Sequence, residues 1–475
     1  MKKFLLSAAV AVMAVASASA TTDGVKYATV DGISMTNNWV LDRAHTFDAA
    51  FKNSPLNGAT RARTAVMAKG KVYVSQSEAK QAVYVNDEGK NDTVMQALVH
   101  VYDVKTGAFE KSIPVTLDGK PFGEFLGANQ IGVDSFGHLW IASYTSEKTA
   151  TIPVYQFDPT SGALTLVAQL NKGDKIARTD YFDVIGDITR KEAECTMMTP
   201  GTQVETVYRW HANKGGEFEG GFDGDTYLDI TEFYPESCTQ WSYAPVARIV
   251  LGDSEDNLYA GELFYIDGFN SAPLLYQNDG SLAGSFNGVD ASLVPAAGTN
   301  GVAEFHLGDA SGENVKNFIV YSMYQYDGHG CQANICELGE NSSIEGMKKY
   351  WQTDSLGGTS DGGNRIHSLN VEYSKDSKGN DVVTLFSYKC NNGMAVYTIS
   401  MGGESGVNGV EAADAALYVE GNVVKVSAPA AIEVYNVAGQ KVAAANGTEL
   451  TINGNGAYIV KAVVAGKTLT KKVVL

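Results

Sequence analysis

One short pattern recurs along the middle of the chain: an apolar-rich strand runs into a turn led by Asp or Asn and closed by glycine. Val99-His-Val-Tyr-Asp-Val-Lys-Thr-Gly-Ala-Phe109 is matched by Val154-Tyr-Gln-Phe-Asp-Pro-Thr-Ser-Gly-Ala-Leu164. Looser copies are Val207-Tyr-Arg-Trp-His-Ala-Asn-Lys-Gly215 and Leu274-Leu-Tyr-Gln-Asn-Asp-Gly280. The hairpin forces a positive φ at the glycine, and the Asp or Asn side chain caps the turn. The marker glycines at 107, 162, 215 and 280 lie 55, 53 and 65 residues apart. A second hairpin repeats as Gly70-Lys-Val-Tyr-Val74, Gly137-His-Leu-Trp-Ile141 and Asp256-Asn-Leu-Tyr-Ala260.

Short antiparallel strands at that period, with no convincing amphipathic helix, predict an all-β fold, a β-propeller with about four strands per blade. Inner strands are expected near Arg63, Gln130, Asp183, Arg248, Glu304 and Arg365, hence six blades. The sixth has three evident strands, the last ending in Met394-Ala-Val-Tyr-Thr-Ile399. An N-terminal strand around Tyr27 to Met35 is expected to supply its fourth, closing the ring and hiding an edge. Two β-sandwiches are the competing architecture and leave the repeat unexplained.

The two ends read differently from the middle. Lys2 and Lys3, the apolar run Phe4 to Val15, and Ala18-Ser19-Ala20 form a secretory signal over residues 1–20. No later segment has an uninterrupted apolar run of spanning length, so no transmembrane segment is expected. The propeller is expected over 21–402 and a linker over 403–410. Residues 411–475 are rich in Ala, Val and Gly and read as the strands of a small sandwich. Within them, Ile432-Glu-Val-Tyr-Asn-Val-Ala-Gly-Gln-Lys-Val442, Gly456-Ala-Tyr-Ile-Val-Lys461 and the terminal Lys471-Lys472-Val-Val-Leu475 follow in order. This stretch resembles the type IX secretion sorting domain of Bacteroidetes. The resemblance implies an immunoglobulin-like β-sandwich and, as partners, the outer-membrane export machinery and a sortase-like peptidase. It also implies a secreted or cell-surface destination reached through the periplasm.

The chain carries 54 acidic and 36 basic residues, a net charge of −18 and a pI near 4.8, which excludes a broad nucleic-acid-binding face. Both ends are near neutral: the signal holds two lysines, and from Val407 onward six lysines face five acids. The acidity therefore belongs to the predicted propeller.

Propeller geometry puts the long connections at one end of the channel, where binding residues of a rigid scaffold concentrate. The long segments are Ser75 to Gln96, Glu192 to Val204, Phe222 to Pro245 and Met323 to Ala333. Arg63, Gln130, Asp183, Arg248, Glu304 and Arg365 would ring the channel mouth there. Three of the six are arginines, which predicts a local basic site for a small acidic ligand. Glu304 with His306, and Arg365 with His367, share strand faces by period-two alternation. Converging, Glu304, His306 and His367 could do acid–base work beside Arg365, as in a hydrolase or lyase. The alternative is that these side chains lock blade to blade. Tyr144 and Tyr326 lie among the aromatics of the same loops, with Trp39, Trp241, Tyr243, Tyr324 and Tyr388, and offer stacking surfaces for a glycan or a peptide.

Asp223, Asp225 and Asp229 crowd one loop with oxygen ligands suited to calcium, although the EF-hand spacing is not met. No other cofactor is indicated. Of the five cysteines, Cys195 with Cys238, and Cys331 with Cys336 or Cys390, are the expected disulfides of an exported chain. The leading expectation is an exported propeller that binds an extracellular glycan, peptide or other small ligand at its loop-rich end. A protein-binding scaffold or adhesin is the third reading.

Overall fold

The computed structural model describes residues 25–474 apart from 44–48, 124–126, 144–150, 172–177, 203–205, 219–226, 230–243, 253–257, 270, 286–292, 294–298, 313, 324–330, 358–365, 402–416, 421, 437–439, 455 and 465–466. It falls into two compact units that divide between Ser405 and Gly406.

In the first unit, six sheets of four or more strands follow one another along the chain. Their first strands are Thr64–Ala68, Gln130–Val133, Asp183–Gly186, Val246–Val250, Val302–Gly308 and His367–Lys375. Each lies against the next, and the sixth returns to the first, so the ring is closed. The chain is a six-bladed β-propeller, and its inner strands all begin within two residues of the six expected positions. The marker glycines 107, 162, 215 and 280 all hold φ between 67° and 84°, as the turn argument requires.

Alternation along the strands builds the core. In the first strand of blade 1, Ala65 and Met67 pack with Phe386 and Tyr388 of blade 6, while Val66 and Ala68 pack with Ile131 and Leu139 of blade 2. Trp140, in the second strand of blade 2, turns to Val184 and Met197 of blade 3, and its neighbours Leu139 and Ile141 turn back to blade 1. Every blade is thus buried on both faces, which is why its inner strands read as nearly continuous apolar runs. Six such clusters, one for each boundary between blades, make up the main core of the ring.

The N-terminal strand does complete blade 6, but it spans Ile33–Asp42 rather than Tyr27 to Met35. It pairs antiparallel with Gly393–Met401 over its whole length, bulging between Asn37 and Trp39. The polar Asn37-Asn38 pair at that bulge hides the alternation that would otherwise mark the strand. Asp31 and Gly32, both at positive φ, fold the preceding residues back, so that Val25–Lys26 becomes a fifth strand beside it.

Two long segments expected as loops are largely strands. The Ser75 to Gln96 segment continues blade 1 as a hairpin, Lys71–Val85 against Asn91–Asp103, with a register break between Gln76 and Lys80. Cys195–Pro200, within the Glu192 to Val204 segment, is the second strand of blade 3.

The second unit, Gly406–Leu475, is a small all-β unit. Its long strand Val423–Asn436 pairs with Leu417–Glu420, Lys441–Thr451 and Ala457–Val464, changing register between Lys425 and Ala430 against the second of these. Val424, Val426, Ile432, Val434, Ile452, Val460 and Ala462 form its core.

The described cysteines overturn the expected disulfides. Cys195, Cys331, Cys336 and Cys390 are buried thiols, none bonded to another, and Cys238 lies outside the described residues. Each occupies an apolar site instead: Cys195 in the core between blades 2 and 3, Cys336 in that between blades 4 and 5. Burial raises the Cys195 and Cys331 thiols and pushes Cys336 up to about 12, so none of these three is a ready nucleophile.

Candidate functional site at the loop-rich end

Of the predicted ring of polar residues, Arg63, Gln130, Asp183 and Arg248 are spent on holding blades together. Gln130 is buried, and its amide both donates to the Phe182 carbonyl and accepts from the Phe182 N–H, each at 2.6 Å, joining blade 2 to blade 3. Asp183 accepts from the Ile249 N–H at 2.6 Å and from Arg248 at 3.0 Å, joining blade 3 to blade 4. Ser368 accepts from Ala65 N–H, and Thr64 from Ile131 N–H, completing blades 6 to 1 and 1 to 2. Side-chain to backbone bonds of this kind satisfy main-chain groups that the sheets leave unpaired at the blade boundaries.

Arg63 is likewise no open cation. It is buried, donates to Asn129 Oδ1 at 2.8 Å and to Asp180 Oδ1 at 3.3 Å, and so ties together the entries to blades 1, 2 and 3. Asp180 also accepts from Arg178 at 2.7 Å and from the Thr202 hydroxyl at 2.5 Å.

Arg248 does something the sequence does not announce. From blade 4 it donates to Asp183 of blade 3, to the Val302 carbonyl of blade 5 at 3.1 Å, and to the Leu369 carbonyl of blade 6 at 2.8 Å. A side chain that reaches those three blades extends into the channel. On the loop-rich side of the guanidinium, Tyr181, Ala244, Val246 and Ile366, each just before or at the start of an inner strand, meet in a small apolar cluster. Burial works against the Arg248 charge, but Asp183 and Tyr181 more than offset it and raise its pKa. The channel is therefore plugged, and the expected basic mouth is corrected: both described arginines of the ring are neutralised by buried aspartates.

The proposed acid–base cluster does not converge. His367 and Tyr373 lie on one strand six residues apart, about 20 Å at strand spacing. His306 stacks on Tyr373, ring centres 4.7 Å apart, and is exposed at that far end. His367 is at the loop-rich end, 1% exposed, with Nε2 against the Ser387 hydroxyl at 2.7 Å. Glu304 is half-buried; burial raises its pKa, with a hydrogen bond from Tyr265 of blade 4 opposing. Glu304 and the two histidines cannot act on one substrate, and catalysis by that trio is withdrawn. Arg365, Tyr144, Tyr326, Asp223 and Asp225 lie outside the described residues, as do Trp241, Tyr243 and Tyr324; of Asp229 only the backbone is described, at the end of a short strand. Trp39 and Tyr388 are core residues, their polar atoms bonded to the Val104 and Ala62 carbonyls.

Sequence reasoning missed a second buried group at this end. Asp267, in the second strand of blade 4, is fully buried and accepts from the Thr299 hydroxyl and the Gly301 N–H, both at 3.0 Å. Gly301 also lies against His367: a Cβ placed on it would stand 2.1 Å from the His367 carbonyl oxygen. Asp267 and His367 thus flank one glycine, with the buried Lys389 near enough to act on both electrostatically. Burial raises the Asp267 carboxyl to about 8 and drives the His367 imidazole well below its ordinary value. Both are neutral near pH 7. One atom of each, Asp267 Oδ1 and His367 Nδ1, is buried with no partner among the described residues. These residues come from three different blades, and no shared motif links them in the sequence.

No family model matches the chain, and no curated protein does. Solved structures do resemble it. A DUF4623 family protein from Bacteroides eggerthii is 13% identical, over 79% of this chain and 77% of that one, with a TM-score of 0.48. A putative 6-phosphogluconolactonase from Bacteroides uniformis is 12% identical, over 85% and 100%, with a TM-score of 0.35. Another from Bacteroides fragilis is 9% identical, over 86% and 96%, with a TM-score of 0.34.

Proposed function

We propose that this chain is an exported, surface-displayed propeller that binds an extracellular glycan, peptide or other small ligand on its loop-rich end. The observation that carries the reading is the Arg248 plug. With the axis closed and the ring of polar groups committed to blade-to-blade bonds, the ring serves as a fixed floor, and recognition falls to the long connections above it. Neutral Asp267 and His367 beneath those connections add polarity to the floor without opening it to water.

Residues 1–20 would direct export to the periplasm, and the C-terminal unit would present the chain to the type IX machinery and its sortase. The excess of acid on the propeller favours solubility and disfavours polyanionic ligands. Among the described residues no helix is long and apolar enough to cross a membrane.

The reading is tested by exposing residues 21–475 to a glycan and peptide array. Reproducible binding to one chemical class is the expected result. Silence across the array would transfer the proposal to the protein-binding scaffold.

A further inference from the structure

We propose a second binding site at the opposite end of the propeller, for a monosaccharide-sized polyol carrying one negative charge. A cleft of about 330 Å³ opens between blades 1 and 2 on the face of the tight turns. That volume is at the low end of small-molecule sites. Tyr73 and Phe157, 8% and 2% exposed, bound the cleft from the core between blades 1 and 2. Gln156, Asp158 and Thr165 contribute hydrogen-bonding groups.

The cation is Lys69. Its backbone N–H is pinned by Glu372 Oε1 at 2.9 Å, and its side chain lies over Gly137, where a Cβ would stand 2.5 Å from Lys69 Cε and 3.0 Å from Nζ. Glycine at 137 lets the lysine lie across this wall of the cleft. Among the described residues no carboxylate lies within ion-pair distance of that amine. Asp158, in the same lining, is committed to its own turn by the Thr160 N–H at 2.8 Å and the Ser161 hydroxyl at 2.5 Å. His138 completes the wall. Its Nδ1 is held between Asp134 at 2.9 Å and Asp187 at 3.3 Å, which leaves Nε2 as the nitrogen available to a ligand.

One uncommitted amine calls for one anionic group. A second negative charge would meet Asp158, Asp134 and Asp187, all within or directly behind the lining. A hexuronate has the required shape: one carboxylate on a ring of hydroxyls.

Calorimetric titration of residues 21–475 with glucuronate, glucose and acetate tests this. Glucuronate is expected to bind at least about tenfold more tightly than either of the others, the factor a charge-assisted hydrogen bond supplies. Lys69→Met should bring glucuronate to the level of glucose, and Thr165→Trp, an exposed position, should fill the cleft and abolish binding with the melting temperature unchanged. Equal affinity for glucose and glucuronate, glucuronate binding untouched by both variants, or no binding of any of the three at millimolar concentration would each overturn the proposal. Array binding at the loop-rich end should be the same in Lys69→Met, so the two readings fail separately.

Discussion

Replacing Arg248 with methionine is expected to destabilise the propeller by about 3–5 kcal/mol, the cost of leaving a buried partner charge uncompensated. For a unit of this size that corresponds to a fall of roughly 4–6 °C in melting temperature. The loss has several parts. Asp183 would remain buried with only backbone N–H groups to hold its charge, and the Val302 and Leu369 carbonyls would lose their donor. Methionine keeps most of the aliphatic volume, so the effect reports the charge and its bonds rather than a cavity. Adding Asp183→Asn to the variant should recover part of the loss, because the uncompensated carboxylate is gone. A melting temperature unchanged in Arg248→Met would mean that the guanidinium is not the plug described.

Asp267→Asn is expected to change how stability depends on pH. The folded carboxyl titrates at about 8, well above its unfolded value of roughly 3.9. A raised folded pKa means that the bound proton stabilises the native state fully below the unfolded pKa. That contribution is lost as pH rises through the folded pKa. Between about pH 4 and 8 the folded state therefore holds a proton that the unfolded state lacks, and stability falls by up to about 1.4 kcal/mol per pH unit from this group. Asparagine can still accept from Thr299 and Gly301 and has no proton to lose. The variant should gain on the natural protein by a few kcal/mol between pH 5 and 8, read as the difference in urea midpoints. Parallel profiles over that window would show that Asp267 is ionised in the folded state.

How much of this was legible in the sequence depends on whether a feature repeats. The marker glycines recur in four blades and mark the fold class, and the blade number could be read from the six inner-strand starts. The closing strand could be anticipated but not bounded, because Asn37 and Asn38 interrupt its alternation at the bulge. The polar ring was found at the right positions and given the wrong emphasis. A period-two rule says which side chains share a strand face, not what each meets there. Glu304 and His306 lie two residues apart, yet one bonds Tyr265 of blade 4 and the other stacks on Tyr373 of blade 6. Asp267, Thr299 and His367 come together only because three blades meet at Gly301, a relation no local pattern encodes. The disulfides were inferred from destination, whereas the described thiols sit in blade cores where packing places them.

The central claim is that the ligand of the loop-rich end, as distinct from a uronate in the Lys69 cleft, sits over a closed channel on the long connections. Hydrogen exchange of residues 21–475, with and without an array ligand that Lys69→Met binds equally well, tests it most directly. The account predicts new protection in the segments 222–245 and 323–333, with the inner strand Val302–Gly308 and the turns at Gly137 and Gly162 unchanged. Protection confined to those turns, or to the inner strand, would contradict it.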